Sequence, residues 1–104
     1  MSNTNDILTI DEIKELMIPV ISKFPVKQLI LYGSYARNQA TANSDIDLLI
    51  DSNDALLGWG LCKLIGELSN ILTKPFHCYE KSMILTNPDL TANIEKDGIV
   101  LYEA

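Results

Sequence analysis

Apolar residues at Ile10, Ile13, Leu16, Met17, Val20, Ile21 and Phe24 recur every three or four positions, the spacing that gathers side chains on one face of a helix. Thr9-Ile10-Asp11-Glu12 fits a capping box at its start and Pro25 stops it, so a helix is predicted between them. Residues 27–32 have another character: a short run of β-prone side chains closed by Gly33, which predicts a largely buried strand. Residues 34–40 are predicted as a short helix, and the polar segment 41–44 leads into a second strand over 45–50.

The second half continues the alternation. Ser52, Asn53 and Asp54 offer caps to a longer helix whose stripe is Leu57, Leu61, Leu64, Ile65, Leu68, Ile71 and Leu72, carried past Gly58 and Gly60 and closed by Pro75. Residues 76–80 read as a short strand with Phe76, Cys78 and Glu80 on one face and His77 and Tyr79 on the other. Asn87 caps and Pro88 opens a last helix that runs to about Lys96 before Gly98, and 99–102 form a terminal strand or a packed tail. Strands and helices that alternate over short connections predict an α/β (α+β) architecture, a small mixed sheet flanked by helices.

Composition narrows the function classes. A chain of 104 residues allows one domain, 1–104, and 47% hydrophobic against 21% charged residues excludes disorder and fibrous repeats. No apolar run approaches the ~20 residues of a membrane span. The start, Met1-Ser2-Asn3-Thr4-Asn5-Asp6, lacks the pattern of an export signal, so the expectation is a cytoplasmic protein without a membrane partner. A formal charge of −6 has the wrong sign for gripping a phosphate backbone, so direct nucleic-acid binding is not expected. A nucleotide remains open to an acidic protein if divalent cations bridge carboxylates to phosphates, and a basic protein partner is equally compatible. Cys62 and Cys78 are expected to be buried thiols rather than a disulfide.

The chemistry concentrates between Gly33 and Asp47. A glycine where a strand turns lets a phosphate approach the backbone with no Cβ in the way. Ser34 adds a hydroxyl donor and Arg37 a positive charge one turn on. Asp45 and Asp47, two apart on a strand, share a face with Cα atoms ~6.5–7 Å apart, a span over which two carboxylates can converge on one Mg²⁺. Singly, these are a plain turn, a solvated arginine and the frayed start of a strand. Together, phosphate donors after one strand and paired acids on the next are complementary parts of one nucleotide site.

Gly33-Ser34 with Arg37, then Ser44-Asp45-Ile46-Asp47, resembles the signature of the DNA polymerase beta-like nucleotidyltransferase superfamily. Within it the chain is most similar to the minimal nucleotidyltransferases, small antitoxins found beside HEPN-domain toxins. The signature covers Leu29 to Ile50, and the flanking helices and the segment from Asn87-Pro88 to Tyr102 fit the same pattern. The resemblance implies Mg²⁺ held by Asp45 and Asp47, and ATP or another NTP bound at Gly33, Ser34, Arg37 and Ser44. It also implies AMP transfer to a hydroxyl, a tyrosine in the toxin–antitoxin members, of a HEPN-type partner; a homo- or hetero-oligomer is left open by the sequence.

Two positions depart from that pattern. Asn38 stands where the family has glycine, and asparagine best tolerates a left-handed backbone among the other residues. More consequentially, the family's third carboxylate aligns with His77, which brings a proton acceptor without a negative charge. His77 is therefore a candidate catalytic residue, and its substitution opens a second reading in which catalysis has decayed and the protein neutralises its partner by binding alone. Glu80 reaches the third position only through a register shift, and Asp51 lies past the site. Cys62, His77 and Cys78 match no zinc pattern. Gly58-Trp59-Gly60 is neither a dinucleotide fingerprint nor a P-loop, leaving Trp59 as a helix packing residue or, on an exposed helix start, an anchor for a partner.

Overall fold

The computed structural model describes residues 7–56 and 58–104. The expectations for Met1 to Asp6 and for Leu57 lie outside the described residues. Helix α1, Ile10–Ile21, starts on the expected capping box: Glu12 N donates to Thr9 Oγ1 at 3.0 Å and Thr9 N to Glu12 Oε1 at 2.8 Å. It buries Ile13, Met17, Val20 and Ile21, accommodates Pro19 inside its last turn and ends before Phe24, while Leu16 remains exposed. Strand β1, Gln28–Tyr32, then runs into Gly33.

Residues 34–40 do not form the short helix that local pattern suggests. They make one turn, closed by Arg37 N donating to Gly33 O at 3.1 Å and terminated at Asn38 with φ +58°. Asn38 N bonds Tyr35 O and Gln39 N bonds Ser34 O, the paired bonds with which a left-handed residue ends a helix. The left-handed role read for Asn38 is thus the one it plays, and it halts the helix after a single turn.

Strand β2, Ile46–Asp51, begins one residue later than expected, with Asp45 just ahead of it. Ser52, Asn53 and Asp54 do not cap the next helix. They form a separate turn, and α2, Trp59–Ile71, starts behind Gly58 with no side-chain cap. The turn is held from a distance by Glu80, at the end of β3, Phe76–Glu80. Its buried carboxylate accepts from Ser52 N (2.9 Å), Ser52 Oγ (2.7 Å), Ser82 N (2.7 Å) and Ser82 Oγ (2.8 Å). A short 3₁₀ turn, Lys81–Ile84, follows, then α3, Pro88–Asp97, with Asn87 Oδ1 accepting from Leu90 N, and β4, Ile99–Glu103, which settles the tail as a strand.

The sheet order is β3-β2-β1-β4, with β1 antiparallel to both β2 and β4 and β2 parallel to β3. Leu29, Leu31, Ile46, Leu48, Ile50, Cys78 and Leu101 face α1 and α2 and form the main core. On the opposite face Tyr32 and Leu49 pack with Ile84 and Ile94 beneath α3. The expected mixed sheet between helices is therefore the observed one. Among the described residues no helix is long and apolar enough to cross a membrane.

Glu80 gives this fold a measurable acid sensitivity. Burial alone would raise its carboxyl, but the hydrogen bonds from Ser82 and Ser52 outweigh burial and lower it from 4.5 to about 2. A carboxyl depressed by folding stabilises the native state above its unfolded value, and that stabilisation disappears as pH falls from about 4.5 toward 2. Glu80→Gln is expected to cost on the order of 3 kcal/mol at pH 7 and close to nothing at pH 2. Urea midpoints of both proteins across that range check it; a gap that stays constant with pH contradicts the assignment.

Candidate functional site

Strand parity places Asp47 on the α3 face of the sheet, where it stands opposite Tyr32 in the antiparallel register and opposite His77 in the parallel one. The three strands thus carry one glycine corner, one carboxylate and one imidazole to the same end of the sheet. Gly33 has φ +78°, and a Cβ built there would overlap Asp47 Oδ2 and lie 3.2 Å from its Cγ. The corner after β1 and the acid of β2 touch because Gly33 has no side chain. Asp45 meets His77, whose Nε2 lies 3.0 Å from Asp45 Oδ2.

Electrostatics reinforce that convergence. Burial raises the Asp47 carboxyl above its ordinary value and the neighbouring Asp45 charge raises it further, while His77 and Arg37 pull it down. Asp45, His77 and Arg37 therefore all act on one carboxylate. Tyr32 is pushed up to about 12, first by burial and then by Asp47, so its hydroxyl keeps its proton beside the acids. Burial likewise lifts Cys78 to about 12, leaving an inert thiol, whereas Cys62 is exposed, contrary to expectation.

Other expected members sit at the margin. Ser34 lies in the turn, whose single helical turn is too short to aim a macrodipole, so the corner offers only local N–H groups and the hydroxyl. Arg37 is exposed, with Nε donating to Gln39 Oε1 at 3.1 Å and one terminal nitrogen 3.6 Å from Asp97 Oδ2. Ser44 spends its hydroxyl on Thr41 N at 2.8 Å, closing the 41–44 turn that leads to Asp45. Glu80 and Asp51 lie toward the other end of their strands. Trp59 is 89% exposed at the start of α2, not packed.

The sequence did not reveal Tyr32, Gln39 or Asp97 as neighbours of the site. Only Asp97 left a trace, an acid in the last turn of a helix, where a cation is favoured.

Among the described residues no group of three or more His, Cys, Asp and Glu side chains could by itself hold a metal ion. Asp45 and Asp47 nevertheless fit part of a divalent-cation shell. They are hard oxygen donors, and the half-buried Asp47 carboxyl already feels the charge of Asp45. His77 and Tyr79, their rings stacked at 6.4 Å, face an open groove of about 640 Å³ along the outer side of β3.

Comparison with known proteins identifies the family. The family described as polymerase beta, nucleotidyltransferase, matches residues 12–104. A Methanocaldococcus jannaschii protein, named by inference a protein adenylyltransferase, is 36% identical over 97 residues, covering 89% of this chain and 98% of its own. Protein adenylyltransferase MntA of Aphanizomenon flos-aquae is 31% identical over 107 residues, covering 91% and 69%. Two solved structures share the fold at 19% identity. One is a toxin–antitoxin complex with AMP-PNP (TM-score 0.71, 88% of this chain and 73% of that one). The other is a tri-AMPylated Shewanella oneidensis HEPN toxin with its MNT antitoxin (0.60, 91% and 70%). With its glycine corner and acids joined on one end of a β3-β2-β1-β4 sheet, the chain belongs to the polymerase beta nucleotidyltransferase family.

Proposed function

We propose that this protein is an antitoxin that transfers AMP from ATP to a hydroxyl, a tyrosine side chain, of a HEPN-type toxin. The observation that carries the reading is the contact between Gly33 and Asp47, which joins a phosphate-binding corner to a carboxylate shared electrostatically with Asp45, His77 and Arg37. The names of the relatives, and the AMPylated toxin bound to an MNT antitoxin of the same fold, support the reaction and the partner class.

Asp45 and Asp47 would hold Mg²⁺, which when bound supplies charge neutralisation for the triphosphate and the leaving pyrophosphate. Gly33 admits the phosphates to the backbone, Ser34 donates its hydroxyl, and Arg37 adds charge as negative charge builds on the phosphate oxygens. The acceptor oxygen attacks the α-phosphorus in line; a new P–O bond forms as the bond to pyrophosphate breaks. A neutral His77 donating its Nε2 proton to Asp45 keeps Nδ1 as acceptor for the proton leaving the hydroxyl. The open groove beside His77 supports approach of the acceptor from the outer side of β3. The test is transfer of label from α-labelled ATP to the protein that copurifies with this chain. Labelling of the partner is expected; its absence with a bound partner defeats the reading.

The imidazole at the third position favours one alternative, a protein that binds its partner without modifying it. His77→Asp separates the two. If His77 is the proton acceptor, the variant transfers within about tenfold of the wild type. If catalysis has decayed, the wild type labels nothing and the variant gains transfer, measured in the same assay.

A further inference from the structure

Asp97 is the last residue of α3, in a position where the helix end carries partial negative charge and an acid is disfavoured. It is held there firmly. A Cβ at the following Gly98 would meet Ile94 O at 2.5 Å and Ile30 Cγ2 at 2.9 Å, so the chain reverses in close contact with β1. Gly98 N donates to Ile94 O at 2.7 Å. This reversal places Asp97 near the corner that follows β1, with its Oδ2 3.6 Å from an Arg37 terminal nitrogen.

Arg37 has a second partner. Gln39, whose own backbone N–H is bonded to Ser34 O by the same turn, accepts from Arg37 Nε at 3.1 Å. A guanidinium presents five N–H donors in a planar fork, so these two partners leave part of the fork free. The side chain is 40% exposed, and its charge already acts on Asp47. An ion pair this long and this exposed contributes little to folding, so the disfavoured acid has no evident stabilising role.

We propose that Asp97 is a positioning residue for nucleotide binding, which together with Gln39 holds the Arg37 guanidinium so that its free N–H edge faces the triphosphate. This rests on the reading of Arg37 as a phosphate contact. Holding a long side chain in its bound rotamer removes an ordering cost that binding would otherwise meet. The carboxylate does not touch the nucleotide.

The test measures ATP binding with Mg²⁺ by calorimetry, alongside transfer kinetics and thermal midpoints, for the full chain with its partner. Asp97→Asn is expected to weaken ATP binding by about two- to fivefold and raise KM in step, with kcat within about twofold and the midpoint unchanged. Asp97→Glu restores most of the affinity. Arg37→Ala with Asp97→Asn is expected to bind no more weakly than Arg37→Ala alone, because the acid acts only through the arginine. ATP affinity unaltered by Asp97→Asn, or effects that add in the double variant, overturns the proposal while leaving the nucleotidyltransferase reading intact. Wild-type protein that binds no ATP overturns both.

Discussion

Asp47→Asn is expected to abolish AMP transfer, by a factor of about 10³ or more, without loss of stability. The two halves of that expectation have one cause. Burial first, and then the charge of Asp45, raise the Asp47 carboxyl, so ionised Asp47 is less favourable in the folded protein than in the unfolded chain. Its charge therefore works against the fold, only partly offset by the neighbouring Arg37 guanidinium. Asparagine keeps the shape that packs against Gly33 and discards the charge, so the thermal midpoint should hold or rise. The same substitution removes the charge that would gather a cation and the phosphates bridged by it. Asp45→Asn should match it in activity, with a stability change within about 0.5 kcal/mol because Asp45 is partly exposed. Label incorporation from α-labelled ATP and a melting curve measure both halves. Full incorporation by Asp47→Asn removes the acid from the chemistry, and a large fall in midpoint would make it a structural residue instead.

A carboxylate that costs stability where it stands is one signature of a site; the sequence made the acid visible and the structure its cost. The spacing of Asp45 and Asp47, and the glycine ending β1, are local patterns, and local patterns survive into the structure: the capping box of α1, the β3 faces and the Asn87-Pro88 helix start all stand as read. What failed was decided by distant residues. Ser52 to Asp54 look like helix caps, yet Glu80 on another strand claims Ser52 and Asp54, and α2 starts only after Gly58. Residues 34–40 have helical composition but stop at Asn38, whose left-handed backbone closes the turn. Trp59 follows the apolar code of a helix and still faces solvent, because the first turn of α2 packs through Gly60 and Leu61 instead. Most important for the site, the parallel pairing of β2 with β3 sets His77 beside Asp47, and no pattern within either strand specifies that partner. The sequence could align His77 with a missing acid, but only sheet order places the imidazole against Asp45.

Gly33→Ala is expected to disable the site through contact as well as backbone strain. A left-handed φ of +78° costs an alanine ~1–2 kcal/mol in itself. The new methyl also falls on Asp47 Oδ2, and Asp47 is flanked by Tyr32 on one strand and His77 on the other, so the carboxylate gives way only by turning away from the corner. Loss of ATP binding and transfer by about 10²-fold or more should accompany the loss of stability. Gly58 supplies the control. It has the same φ of +78° and, among the described residues beyond its chain neighbours, no heavy atom within 4 Å of an added Cβ, and it precedes α2 rather than the acids. Gly58→Ala should therefore destabilise the chain through its backbone alone, keeping ATP affinity and transfer near wild type at temperatures where the variant is folded. Calorimetry and label transfer on both variants, each below its own midpoint, decide the matter. If Gly33→Ala binds and transfers as Gly58→Ala does, then the closeness of corner and carboxylate is a packing detail and not the means by which this sheet assembles a nucleotide site.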